Sequence, residues 1–518
     1  MEFEAHVPEL RGARVRTDTD KGKTRKGVWK IPCIGAGHWM SVYSTSVRVA
    51  RAALMRRVLY RYEKDTDTYG ERLVPSTDLV TERLGTFFSQ LKSRLSANVV
   101  RAGLDEYPNF YSGGKKKVYL KAVESLVRWP YDRVRDAMVK GFVKVEPTQP
   151  GKDPRLIQTR GPRYHALLGS FVRPAEKQIY MAVDRIFGSR TIVKGLNAGQ
   201  VGELIREKWE DFTDPVAVGL DASRFDRSVT VPLLRLVHSV LLYIYGNDSE
   251  LASYLEEQLS NRGVVPCMDG IIKYDVEGGI MSGDVDTSLK GCVIMTALVW
   301  SWAAHAGVRI QLVDNGDDCV AFMERSDLQR FTQGMAEWFA DFHMDIVAED
   351  PVYELEKVVF CQTQPVLGSH GTYVMCRDPR TATVKDSMTI VNVDETRVFR
   401  RWATSVSACG LALAGDMPVF CEIYKAFGRI GNGENDNSCV SGGLKWLSHG
   451  MSFRSGVTER TRYSFWRAFD IPPFVQRELE SYYQQVQLGI HKSDPKEISF
   501  PEKFHVRQTI ADLFSYGA

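Results

Sequence analysis

The chain has 518 residues and a formal net charge of +3, and its 44% hydrophobic and 25% charged content is that of an ordinary globular protein, which excludes a fibrous or disordered chain. The near-neutral balance excludes a global basic field, so any nucleic-acid groove must be lined locally. The nine cysteines are scattered, odd in number and without a C-x-x-C pair, which points to a reducing compartment, free thiols and no zinc site.

Residues 1–30 alternate acids and bases and end in the cluster Lys21, Lys23, Arg25, Lys26 and Lys30. They read as a basic N-terminal tail, solvated and partly mobile, or as a contact for RNA or a partner. Met1 opens a mixed-charge stretch rather than a signal peptide. From 46 to 62, arginines alternate with Val, Ala, Leu and Met at helical spacing, which predicts an amphipathic helix with a basic face. Residues 77–95 and 118–127 predict two more helices. Between them, two glycines precede Lys115, Lys116 and Lys117, with Phe110, Tyr111 and Tyr119 close by. That suits either a loop gripping an RNA backbone beside aromatic platforms or a plain solvated lysine run.

Residues 142–164 alternate apolar positions with Lys144, Arg155 and Arg160, as two short strands with cations on one side would. Such cations can neutralise a triphosphate. Residues 216–220 are a short apolar run, a buried strand that ends at Asp221, with Asp226 a short polar turn later. Residues 231–245 predict an apolar core helix, and 246–275 an insertion that returns as a strand at 270–276. A Gly-rich stretch holding Ser282 and Gly283 then opens an apolar helix through Thr287. The run 291–307 is the longest apolar stretch, yet it is slightly short for a membrane span and holds His305, so it predicts a buried helix. Residues 311–323 predict a hairpin with Asn315-Gly316 at the turn, followed at once by Asp317 and Asp318. Residues 328–342 predict an amphipathic helix, 350–362 a segment ending in an alternating strand, and 367–518 a largely helical region. That region carries a Gly/Asn-rich loop at 431–437, a break at Pro472-Pro473, and a short helix and tail at its end. No internal repeat is visible.

A carboxylate at the end of a buried strand needs a partner. If the 216–220 strand and the 311–323 hairpin are neighbours, Asp221 and Asp317 face each other across a gap that two divalent cations would fill. Two such ions clamp the attacking and leaving oxygens of an in-line phosphoryl displacement. Taken singly, Asp221 is also a good helix N-cap and the Asn-Gly-Asp-Asp run an ordinary turn.

The three stretches 216–226, 277–287 and 311–323 resemble motifs A, B and C of viral RNA-dependent RNA polymerases, with wording closest to the tombusvirus family in Asp221–Asp226. Residues 142–164 resemble motif F of the same family through Lys144, Glu146, Arg155, Ile157, Gln158, Arg160, Pro162, Arg163 and Tyr164. The stretches 191–198, 350–362 and 462–473 resemble it further, with Phe360-Cys361-Gln362 as motif E and Lys357 nearest to the lysine of motif D, although a surface lysine is the plainer reading there. The resemblance implies an α+β right-hand fold of fingers, palm and thumb with linked fingertips, its palm a small antiparallel sheet with helices. After the 1–30 tail, fingers would span 31–215, palm 216–366 with a fingers insertion at about 231–275, and thumb 367–518. It implies template-directed addition of nucleoside triphosphates to an RNA 3′-hydroxyl in replicating a viral RNA genome. Asp221, Asp317 and Asp318 would hold Mg2+, with Mn2+ able to substitute. Lys144, Arg155 and Arg160 would steady the triphosphate, while Asp226, Ser282, Gly283 and Thr287 would line the nucleotide site and read the ribose.

The implied partners are single-stranded RNA template, nascent RNA, nucleoside triphosphates and an auxiliary viral replication protein. With no intrinsic membrane span in sight, the implied location is the host cytoplasm, recruited to membrane-associated viral replication complexes. The chain departs from the family at four places: His165 and Asp286 replace common asparagines, Ile280 a frequent arginine, and Gly291, after Lys290, an asparagine that helps recognise the 2′-hydroxyl. Two rival classes use some of the same residues. A two-metal nuclease or phosphatase would leave the 144–163 cations and the 278–283 glycines unexplained, and a non-catalytic RNA-binding component would not require Asp221 and Asp317 together.

Overall fold

The computed structural model describes residues 42–486 except 98, 150, 437–439 and 441–442, together with 14–17, 28–31, 34, 40, 488 and 491–492. Lys21, Lys23, Arg25 and Lys26, and the tail from 493 onward, lie outside the described residues. In chain order the elements that build the site are α1 (Val47–Leu54), α2 (Thr77–Ser93), α3 (Gly113–Arg128), β1 (Val139–Val143), β2 (Leu156–Thr159), α4 (Pro162–Phe187), α5 (Ala198–Glu210) and β3 (Pro215–Ala222). There follow α6 (Val231–Ile244), α7 (Ser249–Glu256), β4 (Ser260–Cys267), β5 (Gly270–Glu277), α8 (Thr287–Ala306), β6 (Gln311–Asp314), β7 (Asp318–Glu324) and β8 (Ile346–Ala348). The rest is β9 (Thr363–Leu367), β10 (Tyr373–Arg377), α9 (Thr396–Ala414), α10 (Phe420–Ile430), α11 (Glu459–Phe469) and α12 (Pro473–Gln485). The fold is mixed helix and sheet.

The centre is a four-stranded antiparallel sheet in the order β6-β7-β3-β8. Side chains alternate across a strand. Val216, Val218 and Leu220 of β3, with Ala321 and Met323 of β7, therefore enter one core with α2, α4, α6 and α8. Ala217, Val320 and Phe322 enter another with α5 and α9–α12. Burial on both faces explains why these strands read as continuous apolar runs rather than alternating ones. Phe322 is fully buried, and truncating such a side chain to alanine removes about 3–5 kcal/mol. A second, five-stranded sheet runs Arg14–Thr17, β5, β4, β1, β2, with β1 parallel to β4 and the other pairs antiparallel.

Several expectations need correction. The 46–62 helix stops at Leu54, passes through a π-turn over Met55–Leu59 and becomes a short strand at Arg61–Glu63. Parts of the 1–30 tail are structured: Arg14–Thr17 covers the β5 edge, and Trp29–Lys30 is a buried strand paired with Met388–Thr389 and His491–Lys492. Covering a strand edge satisfies its free backbone groups. The 328–342 helix is two short helices, because Gly334 turns left-handed (φ 83°) between Leu328–Thr332 and Met335–Ala340. The alternating residues before Gln362 run into a turn, and the strand itself is β9. The 291–307 run is a buried helix as expected, within α8. Among the described residues no helix is long and apolar enough to cross a membrane. Cys267, Cys292, Cys319, Cys361, Cys376, Cys409 and Cys421 are free.

Candidate active site

Strand register brings the acids together. β3 and β7 pair so that Asp221 stands opposite Asp318 and Leu220 opposite Cys319. The hairpin turn between β6 and β7 closes with Asn315 N–H donating to Asp318 O (3.0 Å), and Gly316 takes φ 107°, a backbone state that favours glycine. Asp317 is thereby left exposed at the tip, while Asp314, below it, is fully buried. Burial raises the Asp314 carboxyl well above the usual range, and it accepts the Gly316 N–H (3.2 Å). It props the turn from below and does not line the cavity described next.

A cavity of about 360 Å³ opens between β3, this turn and the 278–282 loop. Asp221, Asp226 and Asp317 line it together with Arg57, Arg72, Arg155, Arg224, Arg227 and Ser282. Burial, and then the Asp317 charge, raises the Asp221 carboxyl and pushes Asp226 and Asp318 up to about 6. Asp226 presents surface to the cavity even though protein crowds around it. Among the basic lining residues, burial and then the Arg155 and Arg224 charges lower the Arg57 guanidinium. Burial, followed by Arg224, pushes Arg227 down to about 10.

Among the described residues no three His, Cys, Asp or Glu side chains form a ready metal-ligand set. Magnesium does not require one, because it takes one or two carboxylates and completes its shell with water and substrate phosphate. Adjacent carboxylates that raise one another's proton affinity fit such a cation, and crowded arginines that lower one another's fit a phosphate chain.

Of the sequence-predicted residues, the cavity gathers Asp221, Asp226, Asp317, Arg155 and Ser282, with Asp318 at its edge by register. Ser282 Oγ accepts the Gln158 N–H (3.2 Å). Gly283 donates its N–H to Gln158 O (2.7 Å), and a Cβ there would stand 2.6 Å from Thr159 Cβ, so this glycine serves close packing of the loop on β2. Lys144 does not line the cavity; it pairs with Glu146 (2.6 Å), which Arg155 also approaches (3.5 Å).

Arg160 is engaged elsewhere. It is buried and donates to Asp284 Oδ2, Asn261 Oδ1 (2.5 Å) and Glu257 O (2.7 Å), while its own N–H donates to Asp284 Oδ1 (2.9 Å). Burial alone would raise Asp284, but the Arg160 guanidinium overrides it and holds that carboxyl well below the usual range. Thr287 also turns inward, its hydroxyl set against Met281 O (2.6 Å) and Asp284 O (3.0 Å). Lys115, Lys116 and Lys117 are not in a loop but in the first two turns of α3, anchored by buried Tyr119 and Ala122, with Lys115 Nζ 4.6 Å from the Tyr111 ring centre. Lys357 is a surface partner of Asp470 (2.6 Å).

The Asp286 departure has a partner: Lys290 and Asp286 are both buried and pair at 3.1 Å, one helical turn apart. Sequence reasoning missed Arg57, Arg72, Arg224 and Arg227 as cavity residues. The basic face of 46–62 was a signal for Arg57, but only the π-turn aims it inward. Arg72 has no such signal; its guanidinium bridges Glu277 O (2.9 Å) and Arg227 O (2.6 Å).

The cavity thus holds a carboxylate cluster and crowded arginines at the end of a buried strand pair, the charges that suit a cation and a phosphate chain. The chain belongs to the viral RNA-dependent RNA polymerase family, whose sequence profile matches residues 13–491. It is 38% identical over 498 residues to the RNA-directed RNA polymerase of Maize chlorotic mottle virus, covering 93% of this chain and 50% of that protein. The corresponding figures are 36% for the RNA-directed RNA polymerase of Turnip crinkle virus (89% and 60%) and 34% for that of Tomato bushy stunt virus (92% and 58%). The chain thus spans about half of the first of these relatives and under two thirds of the other two.

Proposed function

We propose that this chain carries the catalytic unit of an RNA-directed RNA polymerase that replicates a viral RNA genome. The observation that carries the proposal is the cleft that Asp221 and Asp317 line together with Arg57, Arg155 and Arg224, with Asp318 paired to Asp221 by strand register at its edge. Asp221, Asp317 and Asp318 would hold magnesium, or manganese in its place, and the bound ions would lower the pKa of the RNA 3′-hydroxyl and neutralise charge on the leaving pyrophosphate. Arg155, with Arg57 and Arg224, holds the triphosphate against the carboxylates, where its charge would otherwise be repelled. Asp226 and Ser282 face the same space and read the ribose 2′-hydroxyl. Lys144 acts from the rim through Glu146, and Arg160, Gly283 and Thr287 hold the loop that presents Ser282.

The right-hand layout follows on this reading. Fingers span 31–215, palm 216–366 with the insertion at about 231–275, and thumb 367–518; the central β6-β7-β3-β8 sheet and its helices support the palm. Template and nascent RNA are the macromolecular ligands, with exposed Lys115 and Lys117 and half-buried Lys116 offering a basic turn on α3. An auxiliary viral replication protein would recruit the chain to membrane-associated complexes in the host cytoplasm.

The test is incorporation of labelled nucleotide on a single-stranded RNA template with magnesium, using Asp317→Ala as control. Template-dependent synthesis lost in Asp317→Ala is expected. Template degradation would favour a two-metal nuclease, and RNA binding without synthesis a non-catalytic component.

A further inference from the structure

The segment after β8 returns to the catalytic hairpin through a tight turn that local propensity does not favour. Phe360 and Thr363 exchange both backbone hydrogen bonds (2.9 and 3.0 Å), leaving two residues, Cys361 and Gln362, between them. Both have positive φ, 51° and 58°. That pair defines a type I′ turn, a conformation that asparagine and glycine adopt readily and other residues only under constraint. Observed strain of this kind persists where the surroundings over-determine it.

The surroundings here are the catalytic hairpin. The Cys361 N–H donates to Asp318 Oδ2 (3.0 Å), and Asn315 Nδ2 donates to Cys361 Sγ (3.1 Å). The neighbouring Gln362 is tied outward, accepting from Lys385 Nζ (2.8 Å). One oxygen of Asp318 is therefore oriented by a backbone donor that exists in that place only while the turn stays left-handed.

We propose that Cys361 is a positioning residue: its left-handed backbone aims an N–H at Asp318 and fixes which oxygen of that carboxylate faces the cleft. The thiol is secondary. Burial pushes it up to about 12, so it is a neutral packing and hydrogen-bonding group rather than a nucleophile. The proposal rests on the polymerase reading above, and what it adds is a dependence of catalysis on backbone handedness at 361.

The test is a substitution series at 361 ordered by tolerance of positive φ: Gly, Asn, Ala and Val. kcat is expected to follow that order, with Cys361→Gly and Cys361→Asn keeping at least half of wild-type kcat. Cys361→Ala should fall several-fold and Cys361→Val at least tenfold. The KM for nucleotide should stay within twofold, because the arginine wall is untouched, while the magnesium concentration for half activity should rise as kcat falls. A flat kcat across the folded members overturns the proposal, and so does loss in Cys361→Gly equal to that in Cys361→Val. If Cys361→Val does not fold, the Gly, Asn and Ala members still decide the order. Wild-type protein inactive on RNA templates would instead defeat the polymerase reading itself.

Discussion

Replacing Arg160 with alanine separates two accounts of the same residue. As a triphosphate ligand, Arg160 would be dispensable for folding. In the structure it is 2% exposed and is the main counter-charge to Asp284, whose side chain is wholly buried. Arg160→Ala leaves that carboxylate only the residue-160 backbone N–H (2.9 Å) and His165 Nε2 (3.3 Å) among these contacts. Removing one partner of a buried pair destabilises by about 3–5 kcal/mol, because the other charge is left uncompensated. For a lobe of 150–250 residues each kcal/mol moves Tm by roughly 2–4 °C, so Arg160→Ala should melt about 6–20 °C lower. Arg160→Met combined with Asp284→Asn removes both charges and keeps an oxygen for the Arg160 backbone N–H, so it should recover much of the loss. Thermal denaturation of the two singles and the double measures the coupling, and nucleotide titration of each folded variant measures KM. An Arg160→Ala protein that melts like wild type and shows a raised nucleotide KM would refute the structural role and return Arg160 to the channel.

Asp226 and Asp318 hold protons up to about pH 6, whereas unfolded aspartate releases them near ~4. The folded state binds more protons in between, so stability tied to these groups is full below about pH 4 and falls as pH rises through about 6. A divalent cation needs the carboxylates deprotonated, so its stabilising shift in Tm should grow between pH 5 and pH 7, and equal shifts at both would count against these residues as its site. Arg155→Ala should raise the nucleotide KM about tenfold, the lower end for a charge-assisted contact because the side chain is half exposed; an unchanged KM removes it from the triphosphate site. A Cβ at Gly291 would meet Gly316 Cα at 3.7 Å and Phe225 Cε1 at 3.9 Å, ordinary contacts that leave room to begin a side chain. Gly291→Asn should therefore fold at least as stably and sharpen rejection of dATP against ATP by about fivefold, one neutral hydrogen bond's worth. Equal selectivity, or a misfolded variant, would mean that ribose reading lies elsewhere.

The acids, the glycines and their order along the chain were legible in the sequence because each depends on local chemistry. An apolar run ends in Asp221, Asn315-Gly316 makes a turn, and a glycine-rich stretch opens a helix. That Asp221 stands opposite Asp318 follows from register, which the two-sided apolar pattern of β3 and β7 enforces without spelling out. The cations were not sorted by sequence, since Arg155 and Arg160 share one alternating stretch and differ only in what packs beside them. Arg155 opens onto the cavity, whereas Arg160 meets Asp284 and Asn261 from elements more than 90 residues away. Arg57 enters the site through a π-turn that helical periodicity conceals, and the lysines at 115–117 joined a helix because Tyr119 and Ala122 had a surface to bury against. Sequence therefore determined which chemistry this protein carries, because hydrophobic period and turn propensity are local. Tertiary structure alone decided which charged side chains line the cavity, because an arginine's placement depends on its non-local partners and on the water they exclude.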